Sequence, residues 1–211
     1  MSLPRLLQLA SPALPVGAYS YSQGLEAAIE AGIVSDAASA ERWISGVLEL
    51  SIAPLEAPLL HRMILEPERI RPLNELFLAT RETAELRAET VQMGHSLQRL
   101  LPELGVTPEP MEECSYPAAF AAAAVAWKIA PAEALVAYLW AWAENQVMAA
   151  IKAVPLGQTA GQRILSSLGS RLPAVAEAAA LIAEDEWRNL APGLALLSAR
   201  HETQYSRLFR S

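Results

Sequence analysis

The stretch "PAAFAAAAVAWKIAPAEALVAYLWAWAENQVMAAIKAV", residues 117–154, decides the fold. Lys128, Pro131 and Glu133 divide it into two apolar runs of about ten residues, well short of the ~20 needed to cross a bilayer. Alanine dominates both runs, and alanine has the best intrinsic helix propensity. Pro117 and Pro131 fall where a helix tolerates proline, in its first turn. Two buried core helices are expected, over 117–129 and 131–154, with Pro155 and Gly157 ending the second. The run Ala121 to Ala124 would let another helix approach closely.

The same pattern extends outward. Hydrophobic residues make up 53% of the 211-residue chain and charged ones 18%, while aromatics are only 6%, so alternating β-branched strands have little support. A short helix is expected over 3–10, followed by a non-helical segment around Pro12 and Pro15. Ser22 is a candidate N-cap for a helix running to about Ala31, with Gly32 at its end. Ser35 or Asp36 can cap the next, where Trp43, Ile44, Val47, Leu48 and Ile52 form an apolar stripe. Pro54, Pro58, Pro67 and Pro72 read as punctuation between further short helices. From Arg81 to Leu101, Leu86, Met93, Leu97, Leu100 and Leu101 line one side and charges crowd the first half. "GVTPEPMEE", 105–113, is the best linker candidate, although the flanking helices look incomplete as separate domains. Helices near 158–169, 174–190 and 193–203 complete a single-domain, irregular all-α bundle of about nine or ten helices over 1–211.

Chemistry is harder to find. "SYSQG", 20–24, comes within one residue of the hydrolase elbow, but that elbow needs a preceding strand, and none is expected. His61, His95 and His201 show no relation to Ser20 or Ser22 that would supply a base. "PLGQTAGQR", 155–163, lacks the Lys-Ser/Thr of a phosphate loop. Scattered histidines and the single Cys114 leave no metal-ligand set and no internal disulfide. No catalytic residue, metal site or cofactor is expected. A net charge of −7 argues against a general nucleic-acid binder. The N-terminal stretch is too proline-broken for a signal peptide, so a cytoplasmic chain without membrane insertion is expected.

Three polar features remain. The opening loop "LPVGAYSYSQGLE", 14–26, holds Gly17, Tyr19, Ser20, Gly24 and Glu26. "ENQ", 144–146, lies inside an apolar helix, so it needs a buried network or a protein interface. "ARHETQYSRLFRS", 199–211, sets Tyr205, Leu208 and Phe209 among Arg207 and Arg210, which is interface chemistry unless the tail folds onto its own body.

"LLQLASPALPVGAYSYSQGLEAAIEAG", "RETAELRAE", "YLWAWAENQVMAAIKAVPLGQTAGQR" and "SARHETQYSRLFRS" together resemble the UreF family of urease accessory proteins, in the family's order and nearly end to end. The resemblance implies a non-catalytic, cytosolic, all-helical homodimer. It would join UreD (UreH in some systems) and the GTPase UreG and help deliver nickel to the urease apoprotein. By position in the motifs, Tyr19, Ser20, Glu26 and Lys152 would face the GTPase, with Gly17 and Gly24 shaping the backbone. Tyr205, Arg207, Leu208, Phe209 and Arg210 would face UreD. Glu26, early in its helix, and Lys152, in the last turn of its own, are both expected to point outward. Removal of 205–211 is expected to leave the fold intact. An enzyme and a plain structural helical protein are the other classes left open.

Overall fold

The computed structural model describes residues 3–211, and among these there is no β-strand. The helices are α1 (Leu3–Leu9), α2 (Leu25–Glu30), α3 (Ala37–Leu65), α4 (Ile70–Ala79), α5 (Ala84–Leu100), α6 (Tyr116–Ala126), α7 (Pro131–Ala153), α8 (Gln158–Gly169), α9 (Leu172–Ala180) and α10 (Pro192–His201). The two expected core helices are α6 and α7. Helix α7 runs through the centre and packs against α1, α2, α3, α8 and α9. Helix α6 lies against α5, α4 and α3. Tyr116 and Tyr138 stack at 5.6 Å, and Phe120 meets Tyr138 edge-on at 5.1 Å, which ties α6 to α7.

Helix starts follow local chemistry. Asp36 caps α3 in a reciprocal capping box with Ser39. Thr83 caps α5 through Leu86 N–H, and Ser115 caps α6 through Ala118 N–H. Small residues set the closest approach. A Cβ on Gly94 would lie 2.0 Å from the Cys114 carbonyl oxygen, so only glycine lets α5 pass the backbone leading into α6.

Three expectations are corrected. The helix expected near 174–190 ends at Ala180, and residues 187–190 are non-helical. Pro54 and Pro58 do not separate short helices: the chain stays helical from Ala37 to Leu65, rewound as a π-helix over Leu48–Glu56. In an α-helix Pro54 would direct an N–H at Leu50 O and Pro58 one at Pro54 O, and neither proline has one. Leu190 N–H donates to Leu50 O at 2.8 Å and Arg188 N–H to Pro54 O at 3.2 Å. The resulting helix is long and apolar enough to cross a membrane by length and composition alone, yet 61% of its most apolar window is buried inside the protein. The 105–115 loop is not a free linker either. Asn74 bonds both Glu113 O and Ser115 N–H at 2.8 Å, and Gln98 bonds both backbone groups of Met111.

Candidate functional site

The opening loop is shaped by its glycines. Gly17 at φ 79° leads into a single 3-10 turn, Ala18–Ser20, and Gly24 at φ 74° starts α2, both in the left-handed region that glycine enters without strain. Tyr19 projects at 68% exposure from the turn, while Ser20 is half-buried. Ser22 is not the N-cap of α2, since Gly24 holds that position. The fully buried Ser22 hydroxyl instead accepts Glu26 N–H at 3.3 Å and donates to Ser211 O. That donation goes to a backbone carbonyl, not to an imidazole.

The tail returns to this loop. Arg210 N–H donates to Ser20 O, and Ser22 N–H to Ser211 O, each at 2.8 Å. Phe209 and Ser211 are buried, whereas Tyr205, Arg207, Leu208 and Arg210 stay exposed. The tail is therefore partly intramolecular, which corrects the expectation that it could be removed without effect on the fold.

Glu26 changes most. It does not face outward: it is 7% exposed, and its carboxylate accepts Leu208 N–H at 2.7 Å and Phe209 N–H at 2.9 Å. The carboxylate that suits a helix N-terminus serves here as the acceptor for a chain segment arriving from the other end of the sequence. Lys152 is exposed as expected. Its Nζ lies 5.7 Å from the ring centroids of both Tyr19 and Phe209, within cation–π range. One residue from each proposed patch thus meets on Lys152, and the loop and the tail form a continuous surface.

Beneath it, the "ENQ" alternatives resolve towards a buried network. Asn145 donates to Tyr21 O at 3.2 Å, and Gln146 to Gln23 Oε1 at 3.4 Å. Gln23 also receives Trp142 Nε1–H at 2.7 Å and donates to Glu89 at 2.7 Å. Three partners fix a side chain whose backbone sits at φ 52°, unusual outside glycine. Burial pushes the Glu89 carboxyl up to about 7, opposed by its hydrogen bonds from Ser211 and Gln23. Deeper still, the Tyr138 hydroxyl donates to Glu56, whose other oxygen lies 3.5 Å from Arg81. Burial, followed by the Glu56 charge, holds the Tyr138 phenol well above its usual range. Gln23, Glu56, Arg81, Glu89 and Tyr138 line a cavity with about 1270 Å³ of space that includes its open mouth. Tyr19 and Lys152 belong to the same lining and are both exposed, so the cavity reaches the surface of the opening loop. Among the described residues no group of three or more His, Cys, Asp or Glu side chains is arranged to hold a metal ion.

The UreF family model matches residues 34–169. A urease accessory protein UreF from Azoarcus sp. (strain BH72) is 57% identical, with 100% of this chain and 96% of that protein aligned. The protein of the same name from Dechloromonas aromatica (strain RCB) is 52% identical over 100% of this chain and 98% of its own length. The chain belongs to the UreF family of urease accessory proteins. Its role therefore lies in urease maturation.

In this UreF family member Gln23, Glu85, Glu89 and His201 hold the loop and the tail without standing out in the sequence. Gln23 carried one signal, a polar side chain beside Gly24 in a loop rich in turn residues. Glu85 and Glu89 fall among the charges crowding the first half of α5, but Glu89 is only 4% exposed. Among the described residues His201 has no serine partner; its partners are carboxylates on α2 and α5.

Proposed function

We propose that this chain is a non-catalytic adaptor, without a cofactor of its own, that joins UreD (UreH in some systems) and the GTPase UreG. The assembly supports GTP-dependent nickel insertion into the urease apoprotein. It works as a homodimer in the cytoplasm, without nucleic acid or membrane.

The observation that carries this reading is the shared surface around Lys152. Tyr19 and Lys152 belong to the proposed GTPase-facing group and Phe209 to the proposed UreD-facing tail, and Lys152 Nζ lies equally close to both rings. In the same tail as Phe209, Tyr205 and Leu208 are highly exposed aromatic and aliphatic side chains, with Arg207 and Arg210 adjoining in sequence, the composition of protein interfaces. An adaptor needs adjoining surfaces for two partners, and this arrangement offers them. Glu26 acts in it from below, through the tail backbone, instead of by direct contact.

The test is capture of purified UreD and UreG by the tagged chain. Tyr19→Ala with Lys152→Ala should weaken capture of the GTPase while UreD is retained. Tyr205→Ala with Leu208→Ala should do the reverse. Wild-type capture of both partners by both double variants would remove the assignment of these surfaces. Saturable GTP binding by the chain alone would contradict the adaptor role.

A further inference from the structure

His201 ends α10 and has no solvent exposure. Its two ring nitrogens face two carboxylates: Nδ1 is 2.7 Å from Glu85 Oε2, and Nε2 is 3.2 Å from Glu26 Oε2. Both carboxylates also hold the tail. Glu26 accepts Leu208 and Phe209 N–H, and Glu85 Oε1 accepts Arg207 Nη1–H at 2.8 Å.

An imidazole with one proton donates from one nitrogen and presents a lone pair at the other. Between two carboxylates such a ring satisfies one and opposes the other. With a proton on each nitrogen it donates to both, and its charge together with Arg207 balances Glu26 and Glu85. The elements packed against α10 are α2 and α5. The charged groups facing the ring from them are Glu26 and Glu85. On its own helix and the turn after it, Arg200 and Glu202 are exposed, and Glu202 accepts Ala84 N–H at 3.0 Å. One turn beyond Glu85 on α5, Glu89 accepts the Ser211 hydroxyl at 2.8 Å, a second titratable contact with the tail.

We propose that His201, protonated on both ring nitrogens, is a positioning residue that holds residues 202–211 against the body through Glu26 and Glu85, and that loss of one ring proton releases the tail. The importance of this latch for partners rests on reading the tail as a partner-facing surface. The docking itself does not.

The chain contains three phenylalanines, so uniform labelling with fluorophenylalanine gives three fluorine resonances. Phe77 and Phe120 are fixed in the core at 1% and 0% exposure, and Phe209 reports the tail. The full-length protein is titrated from about pH 6 to about pH 9. The Phe209 resonance should move from a buried to a solvent-exposed position as pH rises, with the docked population falling at least about tenfold, while the other two stay in place. In Glu85→Gln the amide can donate to a singly protonated ring and its carbonyl can still accept from Arg207, so the transition should disappear with the tail docked throughout. In Glu89→Gln it should persist. A Phe209 resonance that stays docked across the range in the wild type overturns the proposal. So does a transition unchanged in Glu85→Gln, or one abolished by Glu89→Gln. UreD capture is measured on the same samples. Its absence at every pH would defeat the partner reading, while the Phe209 transition would still decide the latch.

Discussion

Replacing Glu89 by glutamine probes the network under the loop. Glu89 is fully buried on α5, and burial raises its carboxyl from 4.5 to about 7. A folded-state value above the unfolded one means that the folded protein holds an extra proton between the two. Its stabilising effect is fully present below about pH 4.5 and is lost as pH rises through about 7. The interval corresponds to about 3 kcal/mol. Glutamine removes the titration while keeping a carbonyl for the Gln23 amide and turning an N–H towards the Ser211 hydroxyl, which can accept it. Urea denaturation followed by circular dichroism at about pH 5 and about pH 8 gives four stabilities. At the lower pH the two proteins should agree within about 1 kcal/mol, and at the higher the variant should be more stable by about 2 to 3 kcal/mol. Other titrating groups cancel in the difference unless they contact Glu89. An equal difference at both pH values would refute the argument, because Glu89 would then keep one charge state throughout.

Deleting residues 205–211 should cost about 3 kcal/mol or more, since it removes buried Phe209 and two charge-assisted bonds to Glu26. An unchanged melting temperature would mean that the tail is undocked in solution. Lys152→Ala should change stability by no more than about 1 kcal/mol, the scale of exposed cation–π contacts, while weakening GTPase capture. Gly94→Ala should destabilise by about 3 kcal/mol or more, because the new methyl meets backbone at 2.0 Å, and a denaturation midpoint equal to wild type would contradict that contact.

What the sequence disclosed was what local chemistry determines. The alanine-rich run at 117–154 specified α6 and α7, Asp36 announced its cap, and Lys152 near a helix end reached solvent as its position suggested. What it hid depended on distant segments. Glu26 has the placement of a surface carboxylate until the tail delivers the Leu208 and Phe209 amides. Glu89 shares a helix stretch with solvated charges, and only the buried Gln23 and Ser211 set it apart. Pro54 carries every local sign of a helix break. No pattern within ten residues of it reveals the donors from residues 188 and 190.

Those two donors bear on how the chain matures during synthesis. Residues 37–65 leave the ribosome with the long helix α3 already encoded, but the bonds from Arg188 and Leu190 cannot form until more than 120 further residues have emerged. Contacts so far apart in sequence form late, because loop closure must precede them. The π-helical middle of α3 is thus completed by the segment that leads directly into α10 and the tail. A nascent chain stalled before residue 188 would keep an apolar helix with its central turns unfinished, a substrate for chaperones until the last helix docks.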